Sequence, residues 1–179
     1  RFFEHPMIRV AARHAAEALG LDDRLVPYPL AGEKSARELA DFVAGAQVAS
    51  HEDIHLALVD ADKTTLAKAF LQHTGTSISS RQAEAYLFRH GRIPEVFHED
   101  RDENGADLEV RETLHEFYNT ASPEDIFLCR GGMNAFYAAF KALRDAQASR
   151  GRHIWIQLGW LYVDTIRILE KFTDPDHGP

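Results

Sequence analysis

The stretch Ile126-Phe127-Leu128-Cys129-Arg130-Gly131-Gly132-Met133 constrains this chain most. A short apolar run predicts a buried strand. Two glycines follow, and then an apolar-periodic segment predicts a helix from about Met133 to Ser149. Strand, glycine turn and helix is an arrangement that holds phosphate in many α/β proteins. Glycine lets the backbone approach an anion, and the first helical turn points free N–H groups at it. The competing reading of Gly131-Gly132 is a tight turn with close packing. About thirty residues on, Trp160-Leu161-Tyr162-Val163-Asp164-Thr165 predicts a second strand–helix junction. Ligands of open α/β sheets bind at that edge of the strands, so the two junctions together imply a phosphate-bearing cofactor beside an aromatic side chain.

The remaining pattern supports an α/β layer. Helices are expected at His5–Leu19, closed by Gly20, and over Ser35–Val43. A third should run from an Asp62 cap to Gln72. Strands are expected at Arg24–Tyr28, closed by Pro29, and at Ile54–Val59, and the strand pairs should be parallel. Beyond the polar loop 75–80, a helix starts at Ser80, and Glu99–Ala106 reads as a solvated charged loop. Asp107–Tyr118 reads as an amphipathic helix burying Leu108, Leu114 and Phe117. A strand at His153–Gln157 and a helix over Tyr162–Phe172 complete the sequence-level picture.

Charge and composition remove several function classes. The formal net charge of −8, without a dense basic run, argues against a nucleic-acid surface. No apolar stretch is long enough to span a bilayer, and the N-terminus lacks a signal-peptide pattern, so no membrane role and a cytoplasmic setting are expected. The single cysteine, Cys129, sits in an apolar run and reads as a buried, inert thiol. The ends, beginning at Arg1 and stopping at Asp174–Pro179 after a helix, suggest the front part of a longer protein.

Two further motifs have both a structural and a functional reading. His51-Glu52-Asp53-Ile54-His55 matches His-Glu-x-x-His, whose zinc chemistry needs a helix so that both histidines share one face. Here Ile54-His55-Leu56-Ala57-Leu58-Val59 reads better as a strand after a Ser50-led turn, and no metal is expected. Ser79-Ser80-Arg81 reads as a helix cap with a surface arginine, or as an arginine aimed at a phosphate.

Gly132-Met133 followed by Asn-Ala-Phe resembles the Ser-Gly-Met-x-Ala motif of the cystathionine γ-synthase family, pyridoxal-phosphate enzymes of cysteine and methionine metabolism. Leu161-Tyr162-Val163-Asp164-Thr165-Ile166-Arg167 resembles that family's Leu-Tyr-Gly-Gly-Thr-Tyr-Arg segment. Segments 67–75, 78–84 and 162–172 look most like the fungal-type members, which carry an extra N-terminal region. The resemblance runs from about residue 24 onward. Gly131 stands in the serine place, and Val163-Asp164 replaces the glycine pair.

The resemblance implies a fold-type I, aspartate-aminotransferase-like pyridoxal-phosphate transferase. Residues 1–75 would be an N-terminal α/β region, and residues 76–179 the first part of the large domain. Pyridoxal 5′-phosphate would be the cofactor, held by Gly131, Gly132, Met133 and Arg81, with Tyr162 stacked on its ring and acting catalytically. Arg81 is what remains of a family Tyr-x-Arg that reaches a neighbouring subunit's phosphate. The lysine that holds the cofactor covalently is expected beyond Pro179. The implied reaction is γ-replacement on an activated homoserine ester with cysteine, giving cystathionine. The alternatives are a β- or γ-lyase, a homoserine-ester sulfhydrylase, or a non-catalytic α/β module or inactive fragment. Implied partners are amino-acid substrates, the rest of the same polypeptide and further copies in a homo-oligomer.

Residues 51–55 are expected to bind no zinc. Metal analysis of the purified protein should find none there. One zinc per chain, lost on His55→Ala, would contradict the strand reading.

Overall fold

A computed structural model describes residues 4–98 and 105–173; the charged run 99–104 and the end 174–179 lie outside the described residues. Helix α1 (Pro6–Ala18) begins with proline at its first position, and the His5 imidazole accepts from the Met7 N–H at 3.3 Å. Its inner face, Ile8, Ala11, Ala12 and Ala15, follows helical spacing with small side chains, which lets the helix lie close to its neighbours. Strand β1 (Leu25–Leu30), α2 (Glu33–Val43), β2 (Gln47–His51), β3 (Ile54–Asp60) and α3 (Thr64–Thr74) follow. Then come α4 (Ser80–Arg89), α5 (Ala106–Tyr118), α6 (Gly132–Ala148) and α7 (Val163–Phe172).

The sheet has three strands in the order β1-β3-β2. Its central strand is buried on both faces. Ile54, Leu56 and Leu58 enter one apolar cluster with α1 and with Ala83, Tyr86 and Leu87 of α4. Ala57 and Val59 enter a second cluster with Leu39 of α2, Phe70 and Leu71 of α3, Tyr137 and Phe140 of α6, and Phe172 of α7. Rings tie that second cluster together. Phe42 lies 5.4 Å from Phe70 and 5.1 Å from Phe172, and Tyr137 lies 5.0 Å from Phe172, between ring centres. Such tilted and edge-on pairs add to plain area burial.

Both strand pairs among the described residues are antiparallel, which corrects the expected parallel pairing. The cause is a two-residue hairpin, Glu52-Asp53, with Glu52 at φ 53°, joining β2 to β3. This also settles the His-Glu-x-x-His motif. In the register Ser50 faces His55 and His51 faces Ile54, so His51 and His55 project to opposite faces of the sheet. The His55 ring bonds the Ser50 hydroxyl at 2.8 Å instead.

Strand β1 runs through Pro27 and Pro29 rather than ending before the second proline. It is an edge strand, where a missing N–H costs no ladder bond. The segment at 61–63 is a 3₁₀ turn, so Asp62 does not cap α3. Helix α5 buries none of its residues; Leu108 is 51% and Phe117 78% exposed, so they form no buried side. Neither Ile126–Cys129 nor His153–Gln157 joins a ladder among the described residues, and Cys129 is exposed rather than buried. An apolar run becomes a strand only where neighbours supply backbone partners. Ile154, Ile156, Leu158 and Trp160 project outward, while Trp155 packs on Phe140 with rings 5.0 Å apart. Apolar side chains on both sides of an extended segment are the pattern of a strand meant for burial on both faces.

A polar cluster pins the first layer. The buried Tyr86 hydroxyl of α4 lies 2.9 Å from Nδ1 of His14 on α1 and 2.9 Å from Nδ1 of His51 on β2. A phenol has one hydrogen, so one imidazole accepts it and the other donates its own N–H. The His90 ring packs 4.5 Å from that of Tyr86 and 4.9 Å from that of His14, and its Nε2 reaches Glu52 at 3.2 Å. Burial, then the charges of Arg92, His90 and His51, push the His14 imidazole below its ordinary value of 6.5; Glu17 opposes this.

Two expectations follow from this packing. Leu56→Ala should lose about 2–5 kcal/mol in urea unfolding, whereas Leu108→Ala should change stability by less than about 0.5 kcal/mol. Equal effects would contradict the two-faced core. The folded protein resists protonating His14 while the unfolded chain does not. Stability should therefore be intact above about pH 6.5 and fall as the pH drops below it. A thermal midpoint that falls over this window, with a shallower slope in His14→Gln, is the expected result; a flat profile, or an unchanged slope in the variant, would contradict it.

Candidate functional site

The last turn of α3 gathers both candidate junctions. Helix α3 ends at Gly75, whose φ of 61° is left-handed and suits glycine. A Cβ there would lie 3.2 Å from the backbone N of Asn134 in the first turn of α6. The Asn134 amide also donates to the Thr74 carbonyl at 3.1 Å. On the same turn of α3, the Gln72 amide donates to the Asp164 carboxylate in the first turn of α7 at 3.0 Å. His73 Nε2 lies 3.6 Å from that carboxylate. One helix end thus fixes the N-termini of α6 and α7.

The two N-termini differ in what they offer. Gly131 precedes α6 in an extended conformation, with φ 179° and ψ 169°. No side chain caps this helix, and its first turn holds no acidic residue. A Cβ built at Gly131 or Gly132 would meet nothing within 4 Å, so the approach to these N–H groups is open. Met133 is half-buried against the second core and anchors the turn from behind. These features form a donor set that suits an anionic oxygen cluster such as a phosphate. The α7 terminus is different. Tyr162 precedes it with an extended backbone, two-thirds exposed, and Asp164 places a carboxylate in its first turn. That end favours a flat, uncharged group against the Tyr162 ring over a second anion.

Arg81 is placed elsewhere. It lies in the first turn of α4, after a Ser79 cap that accepts from the Gln82 N–H at 3.1 Å. Its guanidinium donates to Glu84 at 3.0 Å and lies over the Phe97 ring, 4.3 Å from the centre. Both readings of Ser79-Ser80-Arg81 meet here. The cap is present, and within this chain the arginine is engaged by Glu84 and Phe97. The side chain that links α4 to the glycine turn is Arg130, which reaches the Gln82 amide oxygen at 3.5 Å.

His73, Asp164 and Asn134 are parts of this arrangement that carry no sequence signature. Asn134 and Asp164 lie far along the chain from the end of α3, and only the fold brings the three together. His73 is buried, and burial, its largest influence, pushes its imidazole below the ordinary value; the backbone at Ala69 and the Asp164 carboxylate oppose this, while the charges of Lys171 and Arg167 add to it. Among the described residues no group of His, Cys, Asp or Glu side chains is arranged to hold a metal ion, and no helix is long and apolar enough to cross a membrane.

No family model matches the chain, and no solved structure matches it. Among curated proteins, an L-2-amino-4-chloropent-4-enoate dechlorinase/desaturase from Streptantibioticus cattleyicolor is 33% identical over 175 residues, 96% of this chain. The chain spans 35% of that protein's length. The relative is, by its name, an enzyme whose substrate is a chlorinated α-amino acid.

Proposed function

We propose that the protein to which this chain belongs is a pyridoxal-phosphate enzyme that expels a leaving group from the γ-carbon of an α-amino acid. The open, uncapped α6 terminus at Gly131-Gly132-Met133 is the observation that carries the reading. It supports a phosphate site, and its sequence resembles the phosphate motif of the cystathionine γ-synthase family. The relative's name supports the reaction class independently. In 2-amino-4-chloropent-4-enoate the chlorine sits on the fourth carbon, the γ-position, which is also where an activated homoserine ester carries its leaving group.

In this reading the N–H groups of Gly132 and Met133 would hold the cofactor phosphate, and the absence of a side chain at Gly131 and Gly132 would let it approach. The Tyr162 ring would stack on the pyridine, and its hydroxyl would take or return a proton on the substrate side chain. When bound, pyridoxal phosphate supplies the electron sink that makes protons next to the amino-bearing carbon removable. The last turn of α3 is the support that holds both groups in place. Arg81 serves the phosphate of a neighbouring subunit if the protein is a homo-oligomer; the Glu84 contact would then have to yield.

A fold-type I architecture would fit the same reading. The outward apolar residues of 126–129 and 154–160 are what central strands of a larger sheet would present, with further chain covering them. Elimination is favoured by the relative's name. Replacement by cysteine to give cystathionine, on an activated homoserine ester, is favoured by the Gly-Met and Leu-Tyr motifs and is the second reading.

The whole protein separates these outcomes. With a γ-chlorinated amino acid, elimination predicts chloride release without cysteine. With an O-acyl homoserine, replacement predicts cystathionine only when cysteine is added. Activity on neither, with no cofactor bound, would overturn the proposal. Tyr162→Ala should weaken cofactor retention by roughly tenfold, equivalent to about 1.4 kcal/mol, while the unfolding midpoint stays within about 0.5 kcal/mol of the parent. Unchanged retention and turnover would remove Tyr162 from the site. After borohydride reduction in the presence of pyridoxal phosphate, peptide mapping should find no single lysine of residues 1–179 labelled stoichiometrically. Such labelling would place the covalent lysine inside this chain.

A further inference from the structure

A cleft of about 490 Å³ lies far from the α6 terminus, in the N-terminal layer. It bends round the outer edge of β1 at Val26, Pro27 and Tyr28. Arg9 and Arg13, one turn apart on α1, reach it from one face of the sheet, and Thr64 and Lys68 of α3 reach it from the other. Pro27 and Tyr28, whose side chains point to opposite faces of β1, make the wall between them.

Three observations give the cleft a chemical preference. Three cationic side chains line it against one carboxylate, Glu4, in a chain whose net charge is −8. Neither Arg13 nor Lys68 forms a salt bridge with a described residue, and Arg9 approaches Glu4 only at 3.9 Å. The outer edge of β1 is also closed to an added strand. At Leu30 it already bridges Ser77, with the Ala31 N–H donating to the Thr76 carbonyl, and in the open part Pro27 supplies no N–H. What remains is a cage of side-chain cations above a small apolar floor at Val26 and Pro27.

We propose that this cleft binds a small phosphate ester, its phosphate between Arg9, Arg13 and Lys68 and its organic part on Val26 and Pro27. Guanidinium forks match phosphate oxygens in pairs, and an ammonium adds a third contact from across the cleft. The volume exceeds what a bare phosphate fills and lies in the range of small-molecule sites. The proposal does not depend on the reaction assigned to the α6 terminus.

The test is calorimetric titration of the whole protein at low ionic strength with inorganic phosphate and with phenyl phosphate. Saturable binding of phenyl phosphate, tighter than that of inorganic phosphate, is expected. Arg13→Ala and Lys68→Ala should each weaken it by about fivefold or more, and the triple alanine variant at positions 9, 13 and 68 should abolish it, with the circular dichroism spectrum unchanged. Equal affinity for the two probes would identify a bare phosphate site and overturn the ester assignment. No saturation up to about 10 mM would overturn the site itself. Binding that survives the triple variant but is lost in Gly132→Val belongs to the α6 terminus and overturns the proposal too.

Discussion

Burial of β3 on both faces is the constraint from which the rest of the arrangement follows. A strand with Ile54, Leu56 and Leu58 on one side and Ala57 and Val59 on the other needs apolar partners above and below. Helices α1 and α4 cover the first face, and α2 and α3 cover the second. Because α3 is held by the sheet on one side, its outer side is free to receive α6 and α7. Phe70 carries that relation, since it touches the sheet core and lies 5.8 Å from the Phe172 ring of α7. The N-termini of α6 and α7 therefore inherit their positions from the sheet through one intervening helix.

Much of the helical part was legible because period and caps agree. Ala36, Leu39, Ala40 and Val43 mark α2, and Ser79 marks the start of α4. The sheet was legible only in part. Ile54–Val59 shows itself by apolar density, but β2, Gln47–His51, is mostly polar and exposed and offers no such signal. Without β2 the hairpin was invisible, and with it the antiparallel direction of every pair. The edge position of β1 was equally hidden, so Pro29 read as a stop when it is an allowed edge residue. Cys129 and the α5 residues Leu108 and Phe117 were misplaced for a related reason. Their apolar character marks a surface suited to burial, while their burial depends on neighbours that local sequence does not specify.

The candidate site divides along the same line. Gly131, Gly132 and Tyr162 stood out as candidates because a glycine pair or an aromatic residue at a helix start carries a local physical meaning, although no strand forms before either helix. Asn134, Gln72, His73 and Asp164 were not, because each is an ordinary residue on an ordinary helix until α3 brings them together. Asp164 illustrates the gain. In sequence it is a departure from a glycine pair; in the structure it accepts from Gln72 and fastens α7 to α3, which gives that departure a supporting role. The Tyr86 cluster shows the same effect in the opposite layer, where His14 and His51 from two other elements meet at one hydroxyl and His90 packs on the ring.

The central claim is that the first turn of α6 is an open anion-binding terminus held in place by the last turn of α3. Amide hydrogen exchange of the whole protein, with and without pyridoxal phosphate, tests it most directly. The N–H groups of Gly132 and Met133 should exchange at least about tenfold more slowly when the cofactor is present. Exchange at these two amides that is the same in both conditions, while cofactor is bound, would contradict the claim.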